Sequence, residues 1–257
     1  MQEINTNSDI ITAYDEFYAK HDDAWRMLGA KYKAQNIINV CKGHTYKKVL
    51  EVGAGDGSIL KFLSDAGFAP EYQAVEISQS GIEHIKARDI KNLTAVQAFD
   101  GYKLPFEDDS FDLIILAHVL EHVEHERLLL REIRRVAKNC IIEVPRDYRA
   151  GVDDRLNHFL AYGHINMYTP TSLRYLLRTE GFEIENDLTS IIHPEVTRFN
   201  AYVNQKKPKS VIRDLKISAE FAVKNGLNKV FGKKMSEQLA NAYTVLCKKA
   251  DHQPKLF

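Results

Sequence analysis

Two acids and three glycines are the residues of this chain best placed to do chemistry. Val49-Leu50-Glu51-Val52-Gly53-Ala54-Gly55-Asp56-Gly57-Ser58 is a short apolar run that breaks into glycines at alternate positions. It predicts a buried parallel strand whose exit turn carries no side chain to block a ligand, a nucleotide-type cradle. Glycine tolerates positive φ there and lets backbone N–H groups approach a polar small molecule. Glu51, two residues before the first glycine, can hold a positively charged ligand group directly or through water, and would repel a pyrophosphate. Glu76 ends a second strand-like run, Tyr72 to Ser78, at about the distance where doubly wound folds set a carboxylate on ribose hydroxyls.

Two further segments are more specific. Ala98-Phe99-Asp100-Gly101-Tyr102-Lys103 leads into Leu104 to Asp112, an L-P-F-x-D-x-S-F-D pattern, and Leu120-Glu121-His122-Val123 follows a buried run. With the glycine turn, these resemble the class I S-adenosylmethionine-dependent methyltransferases, of the small-molecule or sugar type. The resemblance runs from roughly Tyr14 to Leu188 and resumes at Tyr243 to Lys249. It implies a Rossmann-like α/β fold, a doubly wound, mainly parallel seven-stranded sheet with an antiparallel last strand, and S-adenosyl-L-methionine as cofactor. Carried over by position, Glu51 would sit near the methionyl ammonium with Gly53, Ala54 and Gly55 beneath it. Glu76 would accept from both ribose hydroxyls beside Ile77, Asp100 and the Gly101 backbone would face the adenine edge, and Ala117 and His118 would lie beside the sulfonium. Ser58 stands where the last glycine of a dinucleotide fingerprint would be, which argues against NAD and an NAD-dependent reductase.

A sulfonium is an activated donor, so alignment of the acceptor can supply up to about 7–11 kcal/mol. A base is needed only for a hydroxyl or a protonated amine, and His118 and His164 are the catalytic candidates. His122 and Glu121, at a loop-to-helix entry, read as backbone-satisfying. His158 and His164 lack metal-type spacing with any cysteine, and no metal is expected. The alternative to an enzyme is a non-catalytic S-adenosylmethionine-binding partner or regulatory subunit of the same fold.

The elements that must position these groups alternate. Strands are predicted near 48–52, 72–76, 93–98, 111–116, 139–144, 182–189 and 243–248, with helices over about 9–40 in one or two pieces, 57–66, 79–88 and 124–137. This reads as one domain: a helical lid over 1–40, a cofactor-binding core over 41–189 with an acceptor lid at 146–169, a helical insertion over 190–238, the last strand within 239–250 and a tail at 251–257. The start of the lid resembles the opening helix of sugar N-methyltransferases. Tyr14 and Tyr18, four apart, share its face; Tyr14 is the lid residue that would touch cofactor, while Tyr18 and Trp25 also suit plain core packing.

The chain has 257 residues, 44% of them hydrophobic, enough for one sizeable core. Its 35 basic and 35 acidic residues cancel, so no overall field draws it to nucleic acid. No long uncharged apolar stretch predicts integral membrane association, and Cys41, Cys140 and Cys247 read as reduced, buried thiols of a cytoplasmic protein. A small-molecule acceptor is the expected partner. Between Gln205 and Gln238 stand nine cations and three acids, on a predicted helix, Ser210 to Phe231, with an apolar stripe. That helix either packs on the sheet or on a twin subunit in a homodimer, or anchors a diphosphate or an anionic lipid surface.

Overall fold

A computed structural model describes residues 8–20, 23–148 and 151–251. The expected tail beyond Asp251, the first seven residues and positions 149–150 of the expected acceptor lid lie outside the described residues.

Seven strands form one sheet in the order β3-β2-β1-β4-β5-β7-β6. They are β1 (Lys48–Val52), β2 (Glu71–Glu76), β3 (Leu93–Ala98), β4 (Phe111–Ala117), β5 (Ala137–Pro145), β6 (Phe182–Ser190) and β7 (Ala242–Lys249). β1 pairs in parallel with β2 and β4, and β4 with β5; β7 runs antiparallel between β5 and β6. The chain order reverses between β1 and β4, so both strands release their loops on either side of one crevice. That is where open α/β sheets bind ligands.

The central strands are mainly apolar because both their faces are covered, β4 most fully, whereas the edge strand β6 is largely polar. Successive side chains of β4 take opposite sides: Ile114 and Leu116 join a cluster with α5 (Glu126–Val136) and α7 (Pro170–Thr179), through Leu129, Ile133, Leu173 and Leu177. Leu113, Ile115 and Ala117 join the other cluster, with Ile37 of α2 (Asp23–Val40), Leu60 and Leu63 of α3 (Ser58–Asp65) and Ile85 of α4 (Gln79–Ala87). The three cysteines are buried and free.

The predicted N-terminal helical region is two helices, α1 (Ser8–Lys20) and α2. A short helix, α6 (Leu156–Tyr162), stands within the expected acceptor lid, and α8 (Pro194–Phe199) opens the insertion. The predicted insertion helix is α9 (Val211–Leu239), broken at Gly232 by a left-handed φ of 68° just after Phe231. α9 reaches the sheet through Lys233, which donates to Asp187 of β6, while its apolar residues are not packed there. None of its residues is buried, and Val211, Ile212 and Leu215 are 76%, 81% and 65% exposed. Polar bonds hold it instead: Lys233 to Asp187 (2.6 Å) and Arg174 to Glu237 (2.5 Å) at one end, and Tyr202 to Asp214 (2.8 Å) at the other.

Candidate functional site

The turn after β1 folds as its glycines allow. Gly53, Gly55 and Gly57 all take positive φ, at 66°, 59° and 76°. At the first two, space as well as conformation excludes a side chain. A Cβ on Gly53 would lie 2.7 Å from Val119 Cγ2, and one on Gly55 2.7 Å from the Tyr18 hydroxyl. The turn is pinned from outside by Asp56, a residue the sequence reading passed over. Its carboxylate pairs with Arg26 of α2 (2.7 Å) and Arg88 after α4 (3.1 Å) and caps Ser58. Although burial pushes this carboxyl's pKa up, bonds from Ser58 and Arg26 and the charge of Arg88 hold it below the usual range.

Glu51 and Glu76 are both buried, at 2% and 3% exposure. Oε2 of Glu51 has no hydrogen-bond partner, and burial, then the charge of Asp56, drives the carboxyl's pKa well above its ordinary value. Glu76 accepts from the N–H groups of Gly55 (2.8 Å), Ile77 (3.0 Å) and Ser78 (3.1 Å). Three of its roughly four lone-pair positions are thereby used, leaving room for about one more donor. Burial still raises its pKa despite those bonds.

A pocket opens over this turn, walled by Gly53, Glu76 and Ile77, by Phe99, Gly101 and Tyr102, and by Tyr14 and Tyr18 of α1. The two tyrosines stack at 6.3 Å, and Tyr14 meets the His122 ring edge-on at 5.9 Å. Tyr18 therefore belongs to the pocket wall as Tyr14 does, whereas Trp25 packs on Phe199. Asp100 turns its Oδ1 to the N–H groups of Tyr102 (2.8 Å) and Lys103 (2.6 Å), shaping the loop that presents Gly101. Phe99 and Tyr102 were legible only as neighbours of Asp100.

His118 follows Ala117 at the end of β4 with a φ of 58°, a left-handed conformation that a histidine rarely adopts. Its Nδ1 stands 3.2 Å from Glu121 Oε1 and its Nε2 3.3 Å from Glu143 Oε1. Both carboxylates are essentially without exposure, and Asn36 (3.0 Å) and Thr244 (2.5 Å) donate to Oε2 of Glu143. Burial and Lys33 pull the imidazole's pKa down, but the two carboxylates outweigh them and leave it raised. His118 also borders a second cavity of about 460 Å³ with Lys33, Asn36, Glu143 and His193.

His164 is brought to the same neighbourhood by the backbone. The N–H groups of Ile165 (2.8 Å) and Asn166 (3.0 Å) donate to the Glu121 carbonyl, and the Asn166 side chain donates to the carbonyls of Leu120 and Val123. Its Nδ1 is 2.5 Å from Asp147 Oδ2, and its ring lies 5.0 Å from that of His122. Glu121, His122 and His164 thus meet although nothing in their linear spacing marks them as a set.

The sequence matches the methyltransferase domain family over residues 26–186, more than half of the chain. YrhH, a methyltransferase of Bacillus subtilis, is 27% identical over 124 residues, 46% of this chain and 69% of that protein. The ubiquinone/menaquinone biosynthesis C-methyltransferase UbiE of Cupriavidus metallidurans is 28% identical over 117 residues, 44% of this chain and 48% of that enzyme. The chain thus matches about half of that relative's length. A chain from the complex between the Haloferax volcanii Trm112 methyltransferase activator and its methyltransferase superposes with a TM-score of 0.64 at 14% identity, over 92% of this chain and 97% of that one. That is a likeness of fold. With a 3-2-1-4-5-7-6 sheet, a glycine turn after β1 and a matching profile through the first five strands, the chain belongs to the methyltransferase domain family.

Proposed function

We propose that the protein is an S-adenosylmethionine-dependent methyltransferase acting on a small-molecule acceptor, of the nucleotide-linked sugar or secondary-metabolite class. The observation that carries this is Glu76, a buried carboxylate at the end of β2 in the wall of the pocket over the glycine turn, with acceptor capacity left. The residues fit the donor. Glu51 brings a buried oxygen without a partner among the described residues for an ammonium group, and Gly53 and Gly55 form a turn against which Val119 and Tyr18 close. Gly101, Ile77 and the rings of Phe99 and Tyr102 offer flat walls to an adenine, with Asp100 shaping their loop. Tyr14 and Tyr18 cover the opening.

The donor supplies a methyl group on a sulfonium. Beside Ala117 and His118, this chain must hold the acceptor atom in line with that methyl and keep water out. His118 has a carboxylate at each ring nitrogen, so it serves as a positioning residue for the turn between β4 and α5. His164, with Nδ1 held by Asp147, is the residue on the acceptor side whose other nitrogen stays available for proton chemistry.

Incubation of the full chain with methyl-labelled donor and a fractionated small-molecule extract tests this reading. Label in the small-molecule fraction is expected. Donor binding without any transfer would favour a non-catalytic partner, and label confined to protein or nucleic acid would contradict the acceptor class.

A further inference from the structure

We propose that Glu121, His122 and His164 form a site for a divalent transition-metal ion, a set of two histidines and one carboxylate that ligates an oxygen of the acceptor. The three residues each turn one donor atom to a common space, and all three atoms lie within 4.8 Å of one another. A point between them is therefore no more than about 2.8 Å from each, and modest side-chain movement reaches the roughly 2.0–2.2 Å of a metal bond.

Three independent features of the neighbourhood suit ligation. Glu121 has no exposure; its Oε1 faces His118 Nδ1 at 3.2 Å, and its Oε2 has no partner among the described residues. A buried carboxylate in that condition is costly unless a cation completes it. The two histidines, in turn, are oriented from behind. His122 Nδ1 is 3.0 Å from the Gly163 carbonyl and His164 Nδ1 is 2.5 Å from the Asp147 carboxylate. Metal-bound imidazoles are held in this way, with one nitrogen donating to a carbonyl or carboxylate so that the other presents its lone pair. Finally, His122 lines the main pocket, so the ion would stand beside the donor pocket, with Glu121 and His164 behind its wall.

Two imidazoles and a carboxylate suit zinc, manganese, iron, cobalt or nickel better than magnesium or calcium, which prefer oxygen ligands throughout. The remaining coordination positions would take the acceptor. A hydroxyl bound there loses its proton to solvent; its oxygen lone pair then forms the O–CH3 bond while the C–S bond breaks and its electron pair passes to sulfur. In this reading the free His164 nitrogen ligates the ion instead of acting as the base, and the ion takes over the activation of a neutral hydroxyl. The acceptor half of the inference rests on the methyl-transfer reading; the metal half does not.

The test uses the full chain, stripped with chelator and titrated with cobalt(II) alone, followed by visible absorption and calorimetry. One equivalent should bind with a d–d spectrum. His164→Ala and His122→Ala should each lose more than about tenfold in affinity, and Asp147→Asn about 10- to 100-fold. His122 is partly exposed, so its variant carries the test if changes nearer the core impair folding, as far-ultraviolet circular dichroism would reveal. His158→Ala should bind like the parent. It reports on the neighbouring set Asp147, His158 and His164, whose donor atoms also lie within 4.8 Å of one another. The absence of saturable binding to the parent, parental affinity in either folded histidine variant, or dependence on His158 with none on His122 would overturn the proposal. Calorimetry of S-adenosylmethionine on the stripped chain reads the donor site separately, so failure of one assignment is distinguishable from failure of the other.

Discussion

His118 Nε2 lies 3.3 Å from Oε1 of Glu143, across the pairing of β4 with β5, while its Nδ1 faces Glu121. A single imidazole therefore separates two buried carboxylates at the carboxyl ends of β4 and β5. Removing it leaves both negative charges facing a hole. We predict that His118→Ala costs about 3–5 kcal/mol of stability, the range for breaking a buried pair by deleting one member. Urea unfolding measures this; a loss below 1 kcal/mol would show that the carboxylates do not need the ring.

The glycine turn yields a controlled comparison. Gly53 and Gly67 have nearly the same φ, 66° and 64°, but a Cβ on Gly53 meets Val119 at 2.7 Å and one on Gly67 meets nothing within 4 Å among the described residues. Gly67→Ala should cost only the left-handed conformation, about 1–2 kcal/mol. Gly53→Ala should cost more and also weaken donor binding by at least tenfold. Equal effects in thermal melts and donor titrations would mean that the turn is not a close-approach surface.

Asp56 makes stability depend on acid. Its folded pKa lies below the unfolded value of about 3.9, so its contribution is complete above that value and disappears as pH falls through the folded pKa. Unfolding followed through Trp25, the single tryptophan, should therefore show a steep loss of stability below about pH 4. Asp56→Ala should flatten that slope and cost about 3–5 kcal/mol at neutral pH, because Arg26 and Arg88 lose their common partner. An unchanged slope in the variant would assign the acid sensitivity to other carboxylates.

The apolar residues near the start of α9 should matter little to the fold. Val211→Ser, Ile212→Ser and Leu215→Ser together replace exposed side chains, and each should change stability by no more than about 0.5 kcal/mol. Denaturant midpoints check this. A loss of several kcal/mol would mean that this face is covered in solution, and sedimentation before and after substitution would show whether a second copy covers it.

The strands, and the glycine turn with the acids beside it, were readable because each rests on local sequence. A parallel strand covered on both faces is a continuous apolar run, and Val49–Val52, Phe111–Ala117 and Cys140–Val144 read that way. The acids at their ends announce themselves by interrupting apolar surroundings. His122 was read as a backbone-satisfying residue, and its Nδ1 does face the Gly163 carbonyl, yet the ring also lines the pocket. Its meeting with His164 depends on the segment around Asn166 bonding back to the Leu120–Val123 turn, and nothing local encodes that. The sequence likewise placed apolar residues along α9 but not what would cover them, since local pattern does not name a partner.

The central claim is that the pocket over the β1 turn is the donor site, with Glu76 on the ribose. Isothermal titration of S-adenosylmethionine into the parent chain and into Glu76→Ala tests it most directly. The parent should bind the donor and not NAD, and the variant should lose about ten- to a hundredfold in affinity, the equivalent of roughly 1.5–3 kcal/mol for a hydrogen bond to a charged group. Parental affinity in a folded Glu76→Ala chain would contradict the assignment.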